Sequence, residues 1–147
     1  MSVTRPDVVM GNLRKMLPLG VHAVVGTTGF SDADLKEVDE LARKHNTSLL
    51  IAPNFALGAV VMMKRACEAA KYCPHVEIIE KHHDNKLDAP SGTALMLADA
   101  INEQNNGEYH YVYDRSSVRQ KRDPKEIGIS SVRGGSIVGD HEVLFCG

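Results

Sequence analysis

The stretch from Glu80 to Thr93, EKHHDNKLDAPSGT, holds the densest group of side chains able to act as acids and bases. His82 and His83 can each give or accept a proton at neutral pH, because the reference pKa of an imidazole is about 6.5. Lys86 adds a compact positive charge that can pair with a carboxylate or share in a proton transfer. These residue types predict a pocket in which a substrate is protonated.

Pro90-Ser91-Gly92-Thr93 closes this stretch and is typical of the start of a helix. The backbone amides of Gly92 and Thr93 would then point out of the helix N-terminus, where unpaired donors and the helix dipole favour an anion. A carboxylate suits such a position. Together with the histidines and the lysine, the helix start predicts a site for a carboxylated substrate that needs a proton.

Two other interpretations of the same stretch stay open at this point. It can be a surface loop of solvated charges, since neighbouring histidines in a strand face opposite sides. It can also be the metal site of a hydrolase, built from His82, His83 and Asp84. Their spacing matches neither the H-E-x-x-H pattern nor a Cys/His knuckle, so we expect no metal.

Two further segments follow predicted strands, Gly26-Thr27-Thr28-Gly29 and Ala52-Pro53-Asn54-Phe55. Ligands lie beyond the carboxyl ends of the strands in open α/β sheets, and glycine there lets the backbone approach a ligand closely. Ordinary strand-to-helix turns have the same composition. Nearer the C-terminus, Arg133 and His141 are candidate ligand contacts, although we favour a tight connection between two strands for this segment.

Hydrophobic periodicity predicts alternating helices and strands over the first two thirds of the chain and a strand-rich remainder. Four helices are predicted: one begins at Pro6, one begins at Ser31, one covers 59–72 and one begins near Pro90. The predicted strands cover 21–25, 47–52, 76–79, 109–113, 127–132 and 142–146. The basic segment 115–125 is predicted to be an exposed loop. This order of elements indicates an α/β fold.

Composition excludes several classes of protein. The 147 residues carry a net charge of -2, which argues against a nucleic-acid binder, because such proteins need a basic surplus. Apolar runs fall far short of the ~20 residues of a membrane helix, so no membrane partner is expected. Charged residues within positions 1–19 argue against a signal peptide. The 3 cysteines have no repeated spacing, which indicates reduced thiols and a cytoplasmic protein.

The segment Glu80 to Ala94, EKHHDNKLDAPSGTA, resembles the signature of the dihydrodipicolinate reductase family of bacterial lysine and diaminopimelate biosynthesis. The neighbouring pieces occur in the order found in that family: VVGTTGF at 24–30, APNF at 52–55, the signature, and then 127–141. The resemblance covers essentially the whole chain. The order of the pieces is far more specific than any one of them.

The resemblance implies that a hydride passes from NADH or NADPH to a cyclic dicarboxylate, and that an acid then protonates the resulting enamine. By analogy, His82 is the proton donor and acceptor, and Lys86 is the second proton donor. The residues implied to bind the substrate carboxylate are His83, Gly92 and Thr93. Those implied to line the nicotinamide side of the cofactor are Gly26, Thr27, Thr28, Ala52, Pro53, Asn54 and Phe55.

The resemblance also implies the architecture. Residues 1–54 are expected to be the remainder of a dinucleotide-binding domain with a partial Rossmann-like parallel sheet. Residues 55–147 are expected to form an α+β substrate-binding and oligomerisation domain with a mixed sheet, through which the family assembles as homotetramers.

The glycine-rich loop of that family is not found in the sequence. The chain contains no G-x-G-x-x-G and no G-x-x-x-x-G-K-[ST] motif. We therefore expect an incomplete chain that lacks the N-terminal loop and the C-terminal end of the family. The alternative to a reductase is a non-catalytic α/β fragment that binds a dicarboxylate or a partner chain.

Overall fold

The computed structural model describes residues 6–27, 29–52 and 54–146, with the backbone alone at Pro6 and Asp7. The chain divides into two compact units, residues 1–56 and 57–147, called here the N-terminal and the C-terminal unit. Each unit has a hydrophobic core of its own. None of the helices in the described ranges is long and apolar enough to cross a membrane.

Two helices and a pair of parallel strands make up the N-terminal unit. Its elements are α1 (Pro6–Met16), a 3-10 turn (Leu17–Leu19), β1 (Ala23–Val25), α2 (Asp32–Lys44) and β2 (Leu49–Ile51). The strands are parallel, with Val25 beside Ile51, so their carboxyl ends lie at the same edge of the sheet. Leu13 and Val38, one from each helix, are buried against Val25 in the core of this unit.

A capping box fixes the start of α2 and thereby the length of the segment that follows β1. The Ser31 hydroxyl accepts a hydrogen bond from the Asp34 amide at 3.2 Å, and the Asp34 carboxylate accepts one from the Ser31 amide at 3.0 Å. These bonds satisfy donors that a helix start otherwise leaves unpaired. The predicted helix start at Ser31 is confirmed.

A four-stranded mixed sheet and two helices form the C-terminal unit. Its elements are α3 (Leu57–Ala70), β3 (His75–His82), α4 (Gly92–Gln104), β4 (His110–Val112), β5 (Glu126–Arg133) and β6 (Asp140–Cys146). The strand order is β4-β5-β3-β6, with β6 antiparallel to β3 and the other three strands parallel. The predicted α/β class and the mixed sheet are confirmed.

Strand β3 is longer than the sequence predicted. The apolar pattern indicated a strand over 76–79, whereas the strand continues to His82. The polar residues stay in the strand because Glu80 and Lys81 have partners in both β5 and β6. Backbone pairing does not depend on side-chain polarity, so the pattern ended before the strand did. Since side chains alternate along a strand, Glu80 and His82 lie on the same face.

That face of the sheet changes from apolar to polar along its length. In alternation, β3 presents Val76, Ile78, Glu80 and His82, and the paired positions of β5 are Ile127, Ile129, Ser131 and Arg133. The apolar positions form a core with Leu97, Ala98 and Ile101 of α4. The polar positions lie beyond that core, and they form the candidate site.

The segment between β4 and β5 contains no helix or strand and is mostly exposed, as predicted. Two of its arginines are nevertheless fastened to the sheet instead of being solvated. Arg122 donates to the Glu77 carboxylate at 2.9 Å and to the Glu126 carbonyl at 2.6 Å. Arg115 pairs with Glu77 at 2.7 Å and also with the Glu126 carboxylate. The sequence carried no signal for these long-range ion pairs.

Alanine variants of two leucines, one buried and one exposed, test how far the core of the C-terminal unit depends on α4. Leu97 has no exposed surface, whereas Leu87 is 99% exposed. We expect Leu97→Ala to lower the free energy of unfolding by about 2–5 kcal/mol, because it leaves a cavity beneath the helix. Leu87→Ala should change it by less than about 0.5 kcal/mol. Urea unfolding followed by circular dichroism measures both, and equal effects would contradict this description of the core.

Candidate active site

The carboxylate of Glu80 lies at the centre of the polar end of the C-terminal sheet and has no exposed surface. Arg133 donates two parallel hydrogen bonds to it, from Nη1 to Oε2 at 2.8 Å and from Nη2 to Oε1 at 2.7 Å. The Ser91 amide donates to Oε1 at 3.1 Å, and Nδ1 of His82 lies 2.5 Å from Oε2. Glu80 therefore joins β3 to β5 and to the start of α4.

The hydrogen bonds around Glu80 keep it ionised. Burial by itself disfavours a charged carboxylate and acts to raise the pKa of Glu80. Hydrogen bonds from Arg133, Ser131 and His82 outweigh burial and lower the pKa to about 2. Glu80 is therefore a carboxylate at neutral pH, and the proton-donating groups of the site must be sought among its neighbours.

A second imidazole, His141 of β6, faces His82. The two ring centroids are 5.2 Å apart, and the ring planes meet at 77°. Nε2 of His141 lies 2.8 Å from the Ser91 hydroxyl. Burial lowers the pKa of His141, and positive charge on His82 lowers it further. His141 is therefore held mainly neutral at pH 7.

Lys86 and His83 lie in the loop between β3 and α4. The Lys86 ammonium donates to the Asp88 carboxylate at 2.8 Å, and this hydrogen bond lowers the pKa of Asp88. Burial and the charge of His82 have the larger effects that lower the pKa of His141, and the charge of Lys86 lowers it further. The ammonium is thus within electrostatic reach of the His141 imidazole. The half-buried His83 accepts a hydrogen bond from the Lys86 amide through its carbonyl at 3.1 Å.

The start of α4 lies where the sequence predicted it. The Ser91 hydroxyl accepts a hydrogen bond from the Ala94 amide at 3.2 Å and so caps the helix. Gly92 and Thr93 are its first residues, and both are half-buried. A Cβ added at Gly92 would meet no atom within 4 Å, so the space beside this residue is open. The Glu80 contact to Ser91 brings this helix end to the histidines.

In the N-terminal unit, the two predicted strand ends lie at one edge of the parallel sheet. Gly26 and Thr27 follow β1, and Ala52, Asn54 and Phe55 follow β2. The Ala52 amide donates to the Val25 carbonyl at 2.9 Å, which extends the pairing beyond the strands. The Asn54 side chain accepts from the Ala56 amide at 2.7 Å. Thr28 and Pro53, predicted for the same site, lie outside the described residues.

The described residues contain no cluster of side chains that fits the metal-site interpretation. Across residues 6–27, 29–52 and 54–146, no group of three or more His, Cys, Asp and Glu side chains is arranged to hold a metal ion. His82, His83 and Asp84 therefore do not form one. Instead, Nδ1 of His82 is engaged by Glu80.

Sequence reasoning assigned no role to Glu80 or Ser91, and it favoured a plain strand connection for the segment of Arg133 and His141. The connection is there, but both of these side chains reach the site. Alternation carried a signal for Glu80, because it lies two residues before His82 in the same strand. The sequence offered Arg133 and His141 as candidate ligand contacts, but it did not indicate their partners, because strand pairing brings them beside Glu80 and His82.

Both units match models of a known family. Residues 2–55 match the model described as "Dihydrodipicolinate reductase, N-terminus", and residues 58–147 match "Dihydrodipicolinate reductase, C-terminus". The two matches together span nearly all of the chain, in the order that the sequence resemblance implied.

Curated relatives named 4-hydroxy-tetrahydrodipicolinate reductase are similar over most or nearly all of the chain. The protein of Lysinibacillus sphaericus is 44% identical over 149 residues, which is 99% of this chain and 56% of the relative. That of Bacillus pumilus is 46% identical over 147 residues, covering 98% of this chain and 55% of the relative. That of Methanosarcina mazei is 47% identical over 130 residues, covering 87% of this chain and 48% of the relative.

A solved structure is similar in fold as well as in sequence. It is the dipicolinate-bound dihydrodipicolinate reductase from Paenisporosarcina sp. TG-14, with a TM-score of 0.71 and 39% sequence identity. The match covers 99% of this chain and 57% of that one. The chain thus spans about half the length of the relatives it matches. With both units matched at this level, the chain belongs to the dihydrodipicolinate reductase family.

Proposed function

We propose that the protein containing this chain reduces 4-hydroxy-tetrahydrodipicolinate to tetrahydrodipicolinate with NADH or NADPH, in lysine and diaminopimelate biosynthesis. The observation that carries this proposal is the polar end of the C-terminal sheet. A titratable imidazole (His82), a neighbouring ammonium (Lys86) and the N-terminus of α4 lie together there, in a chain 44% identical to a reductase of that name.

The polar end supplies each group that reduction of an anionic ring needs. His83 and the amides of Gly92 and Thr93 bind a substrate carboxylate, because an anion is favoured at a helix N-terminus. His82 donates the proton that the enamine takes up, and Lys86 serves as the second proton donor. The neighbouring positive charges also favour a dianionic ring over a neutral one. The dipicolinate in the solved relative is a ligand of the same cyclic dicarboxylate class.

The nicotinamide cofactor supplies the hydride when it is bound. The N-terminal unit fits its nicotinamide side, since a parallel sheet ends there in a glycine, a hydroxyl and a carboxamide side chain. In this proposal, the lining residues are Gly26, Thr27, Thr28, Ala52, Pro53, Asn54 and Phe55. The N-terminal unit is then the remainder of the dinucleotide-binding domain, and the C-terminal unit binds the substrate.

The sheet face opposite the candidate site suits self-association into a homotetramer. Val132 of β5 and Leu144 of β6, on the two strands that flank β3, are each 43% exposed there. Lys81 and Glu142 form an ion pair on the same face. A second copy of the sheet would cover these side chains.

A cytoplasmic location fits a biosynthetic enzyme that draws on NADH or NADPH.

Two single variants test the proton donors in the protein that contains this chain. We expect His82→Ala and Lys86→Ala each to lower kcat about 100-fold or more, because a positioned acid typically contributes that much. Binding of NADH and NADPH, measured by isothermal titration, should stay nearly unchanged. The control is His75→Ala at the exposed start of β3, which should keep full activity. Loss of cofactor affinity in both site variants would contradict the assigned roles.

The substrate-binding role of His83 is tested with dipicolinate as the probe. We expect His83→Ala to raise its Kd about 10-fold to 100-fold, as the loss of a hydrogen bond to a charged group typically does. His110→Ala, an exposed histidine of the same unit, should leave the Kd unchanged. Isothermal titration calorimetry measures both. Tight dipicolinate binding in a protein that oxidises no NADH or NADPH would instead support the non-catalytic alternative.

A further inference from the structure

The contact between Glu80 and His82 decides which ring nitrogen carries the proton. An ionised carboxylate has acceptors only, so it cannot donate to an imidazole. Nδ1 of His82 lies 2.5 Å from Oε2 of Glu80. Nδ1 must therefore be the donor. In the neutral ring, the lone pair is then on Nε2, and in the charged ring Nε2 carries the second proton.

The other contacts of Glu80 hold the carboxylate in one orientation. Oε1 accepts from Arg133 and from the Ser91 amide, while Oε2 accepts from Arg133 and faces His82. The side chain is fully buried, so water cannot replace a lost partner. Rotation of the carboxylate would break several buried hydrogen bonds at once. The Nδ1 edge of His82 is therefore fixed in place.

Gly139 lies beside the Nε2 edge of the ring and places no side chain there. A Cβ added at this position would lie 3.0 Å from Nε2 of His82 and 3.2 Å from Cδ2, tighter than ordinary contact. The backbone there has a φ of +145°, which favours glycine. The ring is thus held at Nδ1, and the lack of a side chain at Gly139 keeps a Cβ from crowding Nε2.

We propose that Glu80 is a positioning residue for His82: it holds the ring in the Nδ1–H tautomer and so presents Nε2 as the atom that exchanges the proton. Arg133 anchors Glu80 in turn. The consequence for turnover rests on the proposed reductase function, whereas the tautomer and the orientation do not.

The proton balance of the proposed reaction agrees with this arrangement. As the enamine is protonated, the Nε2–H bond of the imidazolium breaks and a C–H bond forms on the substrate. The ring is left neutral, with its remaining proton on Nδ1 and still donated to Glu80. The carboxylate takes up no proton, in keeping with its pKa of about 2.

The tautomer of His82 can be measured without any variant of Glu80. Long-range ¹H–¹⁵N correlation spectra of protein with ¹⁵N-labelled histidine distinguish the two neutral forms, and His82→Gln assigns the signal by its disappearance. We expect neutral His82 to carry its proton on Nδ1. An Nε2–H signal for His82 in the unmodified protein would overturn the proposal.

Glu80→Gln removes the charge and keeps the shape of the side chain. We expect the pKa of His82 to fall by at least about one pH unit, because a carboxylate this close favours the imidazolium. Glu142→Gln is the matched control, since Glu142 pairs with Lys81 on the other face of the sheet. It should leave the pKa of His82 unchanged. No fall in Glu80→Gln, or an equal fall in Glu142→Gln, would contradict the proposal.

A double variant covers the case in which Glu80→Gln does not fold. Glu80→Leu/Arg133→Met replaces the buried pair with apolar groups of similar size, a change that proteins often tolerate. We expect a mixture of His82 tautomers in this variant. A ring that still carries its proton on Nδ1 alone would show that Glu80 does not select the tautomer.

Turnover separates this proposal from the proposed function. In Glu80→Gln, kcat should fall about 10-fold or more with the substrate KM within about threefold of its starting value, and the alkaline limb of the pH profile should move down with the pKa of His82. If the unmodified protein is no reductase, the proposed function fails, and the NMR result still decides the role of Glu80. An unchanged kcat alongside an altered tautomer would overturn the link to turnover.

Discussion

The C-terminal unit depends above all on the buried ion pair between Glu80 and Arg133. A carboxylate with no contact to water is costly, by several kcal/mol, unless charged partners and hydrogen bonds replace its hydration. Here the replacements come from three elements: β5 supplies Arg133, α4 supplies the Ser91 amide, and β3 supplies His82. None of these elements can shift relative to the others without leaving a buried charge uncompensated. The same pair that is costly to bury therefore sets the geometry of the site.

One sheet face serves both stability and chemistry because its side chains alternate. Ile78 and Glu80 are two residues apart in β3 and point the same way, yet one belongs to the core and the other to the polar cluster. The core beneath α4 holds the helix, and the helix start then brings its capping residue Ser91 to Glu80 and His141. Packing at the apolar end thus positions the amides at the polar end. A change in the core would reach the site through this helix.

The charges around His82 are of both signs. Glu80 favours the imidazolium, whereas His141 remains mainly neutral and adds no full charge. Because Arg133 shares the charge of Glu80, the carboxylate acts on His82 less strongly than an isolated one would.

The sequence by itself determined the class of fold, the order of elements and the stretch that holds His82, Lys86 and the start of α4. These features are local: hydrophobic period, capping residues and a dense run of titratable side chains are all visible within a few neighbouring positions. The tertiary structure alone decided that β3 continues to His82, and that Arg133 and His141 lie beside Glu80 and His82. Strand pairing joins positions about fifty to sixty residues apart through backbone hydrogen bonds, which carry no side-chain pattern. For that reason the proton-donor candidates could be predicted from the sequence, whereas the carboxylate that orients one of them could not.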